Sequence, residues 1–180
     1  MKELSLNILD IAQNSVAANA KQIVISVIIK TDENLLKIII EDDGKGMSEE
    51  ILQAVTDPFV TTRTTRKVGM GIPLFKQSAE QSDGDFNIKS ELGKGTVVTA
   101  SYKLNHIDRP PIGDVASTIA MLVSCNENID FIFNYISDDY EFIFDTKEIK
   151  AILNGVSVNT PDVVIWMQDF IRENIIITEV

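Results

Sequence analysis

The chain has 180 residues, 44% of them apolar, with a formal net charge of −11 from 16 basic and 27 acidic residues. That apolar share builds a real core and excludes a disordered chain. No apolar run approaches the roughly 18 residues of a membrane span, and the early acids and amides of MKELSLNILD exclude a signal peptide, so a soluble, cytoplasmic protein is expected.

The charge is uneven. Residues 1–104 carry 12 basic and 14 acidic side chains, while residues 105–180 carry 4 and 13. The second segment would repel a phosphate polyanion, so nucleic acid is not an expected partner. The lone Cys125 fits a reducing compartment and cannot form an internal disulfide.

In chain order, residues 3–19 are predicted helical. Leu4, Ile8, Ile11 and Ala12 repeat at the spacing of one apolar face. A polar stripe of Glu3, Asn7, Asp10 and Asn14 runs beside it. Residues 21–30 and 34–41 are apolar, β-branched runs joined by KTDEN, which predicts a hairpin. Ser48 followed by Glu49 and Glu50 starts a helix over 48–56. VTTRTTRKVG, residues 60–69, lacks apolar periodicity and reads as an exposed loop. A helix over 71–82 and strands over 85–92 and 96–104 follow, with Gly-Lys-Gly turning between the strands.

HIDRPPIGD then supplies prolines and a glycine, as a linker would. The tail is predicted as helix 113–125, strands 129–136 and 140–145, and helices 146–153 and 161–174. The expected architecture is α+β: a two-layer sandwich of helices on a mixed, mostly antiparallel sheet over residues 1–104. A linker at 105–112 and a small acidic α/β appendage at 113–180 complete it. Phe131, Phe133, Phe142 and Phe144 are expected to form that appendage's core.

The chemistry-bearing features are Asp10-Ile-Ala-Gln-Asn14 on the first helix and Asp42-Asp43-Gly44-Lys45-Gly46-Met47 at a strand end. Gly69-Met-Gly71-Ile72 follows a basic loop with Arg63, Arg66 and Lys67, and Gly93-Lys-Gly95-Thr96 comes last. A lone Gly-x-Gly is usually a turn. In this order and on these elements, the set looks like a nucleotide site. The glycine spacing fits neither a P-loop nor a Rossmann turn, and no zinc-type Cys/His cluster is present.

These motifs resemble the GHKL ATPases: histidine kinase catalytic domains, DNA gyrase B, Hsp90 and MutL. The likeness covers about residues 3–104, through ILDIAQNS, DDGKGM, DPFVTT, GMGIPL and GKGTVV. It implies a Bergerat-type ATP-binding fold and a site for ATP and Mg²⁺. By that resemblance, Asp42 accepts from the adenine amine, with Thr96 helping through a water. Gly44 and Gly46 let the backbone pass the purine, and Met47 and Ile72 count among the nucleotide contacts. Asn14 supplies an oxygen to Mg²⁺. Asp10 stands where the gyrase and MutL branch holds a water-activating glutamate. Gly69 and Gly71 free N–H groups for phosphate at a helix start. Arg66 and Lys67 reach the γ-phosphate. Asp43 fills the variable position and is expected to face solvent.

The only histidine, His106, falls in the linker, so autokinase chemistry is not expected. The chain also resembles anti-sigma-factor serine kinases and the ATP-binding proteins found with iron hydrogenases. Two function classes stay open: slow ATP hydrolysis or phosphoryl transfer to a protein, or a non-catalytic ATP sensor whose tail docks a protein partner. A homodimer is also left open.

Overall fold

The computed structural model describes residues 3–56 and 70–175. Helix α1 (Leu4–Ala17) turns Leu4, Ile8, Ile11, Ala12 and Ser15 inward. Its first residues take their hydrogen-bond acceptors from far along the chain. The carbonyls of Pro111 and Ile112 accept the N–H groups of Leu4 and Ser5 at 2.9 and 2.8 Å. These contacts satisfy helix donors that no side chain caps.

Strand β1 (Gln22–Lys30) alternates strictly, with Ile23, Ile25, Val27 and Ile29 buried and the intervening residues half-covered. It pairs antiparallel with β2 (Leu35–Asp42) through partners such as Ile25 and Ile40. The short α2 (Glu49–Thr56) and α3 (Gly71–Gln81) precede a hairpin of β3 (Phe86–Glu91) and β4 (Gly95–Lys103). β4 lies antiparallel to β2. The tail adds α4 (Val115–Cys125), β5 (Asp130–Ser137), β6 (Tyr140–Asp145), α5 (Thr146–Leu153) and α6 (Pro161–Asn174). The predicted α+β sandwich and its order of elements are therefore found, with ends shifted by a residue or two.

The boundary expected at 105–112 does not divide the molecule. All six strands form one mixed sheet in the order β3-β4-β2-β1-β5-β6. β5 pairs with β1, in parallel, from Gln22 opposite Asp130 to Ile29 opposite Ser137. A parallel pair needs a crossover, and α4 supplies it, packed between α1 and α6. Phe131, Phe133, Phe142 and Phe144 are core residues, as expected, but of the same cluster that holds Ile8, Ile25 and Ile38.

Charge and prolines marked the surface here rather than a break between cores. Among the described residues none of the tail's acids is buried, while its apolar residues extend the common core. Seven of the α4 residues are buried, Val115 and Ile119 among them.

Candidate functional site

The alternation of β2 carries its last residue, Asp42, inward and leaves Glu41 outside. Asp42 is only 9% exposed. A buried carboxylate is tolerated when its oxygens are hydrogen-bonded, and both are. The Ser15 hydroxyl, from the last turn of α1, donates to Oδ2 at 2.6 Å. The Gly44 N–H donates to Oδ1 at 2.9 Å. The first distance is in the charge-assisted range.

Thr96 stands opposite Asp42 in the β2–β4 ladder. Its hydroxyl lies 2.9 Å from the Ser90 hydroxyl, which accepts the Met47 N–H at 2.8 Å and donates to the Gly95 carbonyl at 3.0 Å. With its one proton spent on Gly95, Ser90 accepts from Thr96, so the Thr96 oxygen keeps its lone pairs for another group.

Two glycines are required by the protein's own backbone. A Cβ at Gly95 (φ +113°) would stand 1.8 Å from the Asp42 carbonyl oxygen, and one at Gly46 (φ +64°) 2.0 Å from that of Glu91. Gly46 thus has a reason to be glycine that does not involve a ligand. Gly44 is buried against Ala18 and the Asp42 carboxylate, and Met47 is partly buried against the core.

The polar stripe of α1 divides. Glu3 accepts from the Ser5 hydroxyl at 3.3 Å at the far end of the helix. Asn7 is buried and donates through Nδ2 to the Ser78 hydroxyl of α3 at 3.3 Å, with the Tyr102 hydroxyl 3.0 Å beyond. Burial pushes the Tyr102 phenol up to about 12, against the pull of its bonds to Ser78 and Asn7. These residues tie α1, α3 and β4 together.

Asp10 rests against the first residue of α3, its Cβ 3.1 Å and its Oδ2 3.5 Å from where a Gly71 side chain would begin. Asn14 lies one turn on and is exposed. At the start of α3, Pro73 has no N–H and the Leu74 N–H bonds the Met70 carbonyl. The N–H groups of Gly71 and Ile72 therefore precede the helix ladder, as helix N-terminal donors do.

Arg63, Arg66, Lys67 and Gly69 lie outside the described residues. Among the described residues no group of three or more His, Cys, Asp or Glu is placed to hold a metal. The structure thus gathers Asp42, Gly44, Gly46 and Thr96 where the ends of β2 and α1 meet β4, and sets Asp10 against Gly71 at the start of α3; Asn14 stands one residue before Ser15 on α1. The structure adds Ser15 and Ser90, which the sequence reading passed over. The signal for Ser15 was a polar residue at the next inward position of the Ile8–Ile11–Ala12 face.

A family model described as histidine kinase-, DNA gyrase B- and HSP90-like ATPase matches residues 1–106. The chain belongs to this ATPase family. Its relatives include sporulation kinase C of Bacillus subtilis, 30% identical over 97 residues, covering 54% of this chain and 22% of that protein. Sporulation kinase E of the same organism is 34% identical over 112 residues, 61% of this chain and 15% of that one. The sensor histidine kinase ZraS of Escherichia coli is 29% identical over 106 residues, 59% and 23% respectively. The chain thus spans less than a quarter of each of these relatives.

Among solved structures, the N-terminal domain of a DNA repair protein superposes with a TM-score of 0.57 at 15% identity. That match covers 79% of this chain and 52% of the other, and it shows the fold. The family match ends at residue 106, within the segment that leads into α4, so β5 and β6 lie beyond the matched residues and join the same sheet. Family membership makes the chain an ATP-binding domain of the histidine-kinase-like type.

Proposed function

We propose that the chain binds Mg-ATP at the junction of α1, β2, α3 and β4. There it hydrolyses ATP slowly or passes the γ-phosphoryl group to a protein in a regulatory role. The observation that carries this reading is the Asp42 carboxylate. It is buried at a strand end, locked by Ser15 and the Gly44 N–H, and faced by Thr96.

Such a carboxylate only accepts, so it selects a base that offers a donor. A base lacking the donor leaves a desolvated carboxylate unmatched. The adenine exocyclic amine is that donor. The N–H groups of Gly71 and Ile72 at the α3 start suit the phosphates. Gly69, Arg66 and Lys67 are assigned to the same end of the nucleotide by their place in the sequence.

Magnesium fits the donor set. Asn14 offers one amide oxygen at an exposed position, and a hard cation that keeps its waters and takes phosphate oxygens needs few protein ligands. When bound, the ion supplies charge neutralisation on the phosphates. Asp10, beside Gly71, holds a carboxylate at the phosphate end, where a general base for water is needed.

The test is ATP turnover with the γ-phosphate labelled, on the parent chain and on Asp10→Asn and Asp10→Glu, with ATP affinity measured in parallel. The parent is expected to turn over below about 1 s⁻¹, the low end for enzymes. Asp10→Asn should bind ATP and release no phosphate. Glutamate should raise the rate, because aspartate is a methylene short of the gyrase-branch base and misplacement by about 1 Å can cost about 10²-fold. Asp10→Asn turning over like the parent would remove Asp10 as the base and leave ATP sensing as the function. A parent chain that binds no ATP would overturn the reading altogether.

A further inference from the structure

The second acid of the Asp42-Asp43 pair was expected to face solvent, and it does. Its carboxylate is nevertheless engaged. Asp43 Oδ1 accepts the N–H groups of both Lys21 and Gln22, at 2.7 and 2.9 Å. These are the last residue before β1 and the first within it. The Asp43 N–H returns a long bond to the Gln22 carbonyl at 3.4 Å.

Two neighbouring contacts hold the same turn. The Lys45 N–H donates to the Ala18 carbonyl at 3.0 Å, and the Gly93 N–H donates to the Lys45 carbonyl at 2.8 Å. The turn from Asp42 to Gly46 is thus wedged between the α1–β1 junction and the β3–β4 hairpin. Burial pushes the Asp43 carboxyl up, but the Gln22 and Lys21 N–H groups outweigh it and hold it below its ordinary value. Asp43 is the only side chain of the Asp42–Lys45 segment that grips the β1 start.

We propose that Asp43 is a positioning residue for base selection: by clamping the turn to Lys21 and Gln22, it holds the adjacent Asp42 carboxylate where it meets the base. The proposal rests on the reading of Asp42 given above. A clamp of this kind acts on the population of the competent turn. If loss of the clamp leaves that geometry about a tenth of the time, apparent affinity through Asp42 falls about tenfold. Only ligands that use Asp42 should feel the change.

The test uses the full chain and its Asp43→Ala, Asp43→Asn and Asp43→Ser variants. Their affinities for ADP and inosine diphosphate are measured by calorimetry and competition, at a temperature where melting shows each variant folded. The two ligands share their phosphates and differ at the exocyclic amine. Asp43→Ala should bind ADP about tenfold more weakly and inosine diphosphate within about twofold of the parent, so discrimination drops about tenfold. Asp43→Asn keeps an oxygen acceptor for both N–H groups and should retain the parent's discrimination. Asp43→Ser should fall between the two, and it serves in place of alanine if that variant does not fold.

Unchanged discrimination in the alanine or serine variant overturns the proposal. So does an equal loss for both ligands, which marks general collapse of the site, or a loss in Asp43→Asn as large as in Asp43→Ala. A parent chain without preference for ADP refutes the Asp42 reading first and takes this inference with it.

Discussion

Replacing Asp42 by asparagine removes the charge and one acceptor oxygen while keeping the shape. In the native site the Gly44 N–H points at Oδ1 and the Ser15 hydroxyl at Oδ2. The Gly44 N–H can only donate, so the asparagine oxygen must occupy the Oδ1 position. The amide nitrogen then stands where Oδ2 was. Ser15 can rotate its hydroxyl to accept from that nitrogen, so the fold keeps both contacts. The loss is a charge-assisted bond exchanged for a neutral one, about 1 kcal/mol of stability.

The ligand fares worse. With the base seated on residue 42 as proposed, the second amide proton points where the adenine amine would donate, so an attraction becomes a clash of donors. Losing a charge-assisted bond in a buried site costs about 2–3 kcal/mol, which is about 30- to 150-fold in affinity. The same proton suits the 6-oxo group of hypoxanthine, so the variant should prefer inosine nucleotides relative to the parent. Calorimetric titration with ATP and inosine triphosphate, beside a thermal melt, measures both effects. A folded Asp42→Asn protein with parental ATP affinity and parental preference would refute the assignment of Asp42 to the base.

Truncation after Leu104 removes the carbonyls that bond the first N–H groups of α1 and strips β5 from the length of β1. It also removes Ile119, Phe131 and Phe133 from the core. Each buried side chain of that size is worth about 1.5–3 kcal/mol, and a domain's net stability is only about 5–15 kcal/mol. The fragment should show no cooperative melt by circular dichroism, and a folded, ATP-binding fragment would show that the tail is dispensable.

Alkaline pH should act through Tyr102. Its phenol titrates at about 12 in the fold against 10.0 ordinarily, so the neutral form is favoured by folding. The stability it contributes is whole below pH 10.0 and is lost as pH rises through about 12. Denaturant midpoints followed through that window should fall for the parent and fall less for Tyr102→Phe.

Alternation, periodicity and helix-start signals set out the described helices and strands of this protein, because side-chain period reports which face is buried and a cap reports where a helix begins. The sequence also put Asp42 at a strand end, and the fold showed that it faces inward. Local patterns determined the family motifs as well, since a turn that needs glycine at 46 and 95 announces it wherever the chain goes.

Tertiary structure alone decided three things. The tail joins the sheet because β1 has a second edge, and which strand fills that edge is a long-range choice that local charge and prolines do not report. Asn7 leaves the functional stripe because Ser78 and Tyr102 come to meet it, although its spacing on α1 equals that of Asp10 and Asn14. Of the adjacent acids, Asp42 is drawn in by Ser15 and Asp43 is drawn to the start of β1. Asp43 is fixed by donors more than twenty residues away and Asp42 by one such donor beside the local Gly44 N–H, and hydrogen-bond partners brought together by folding leave no local period to read.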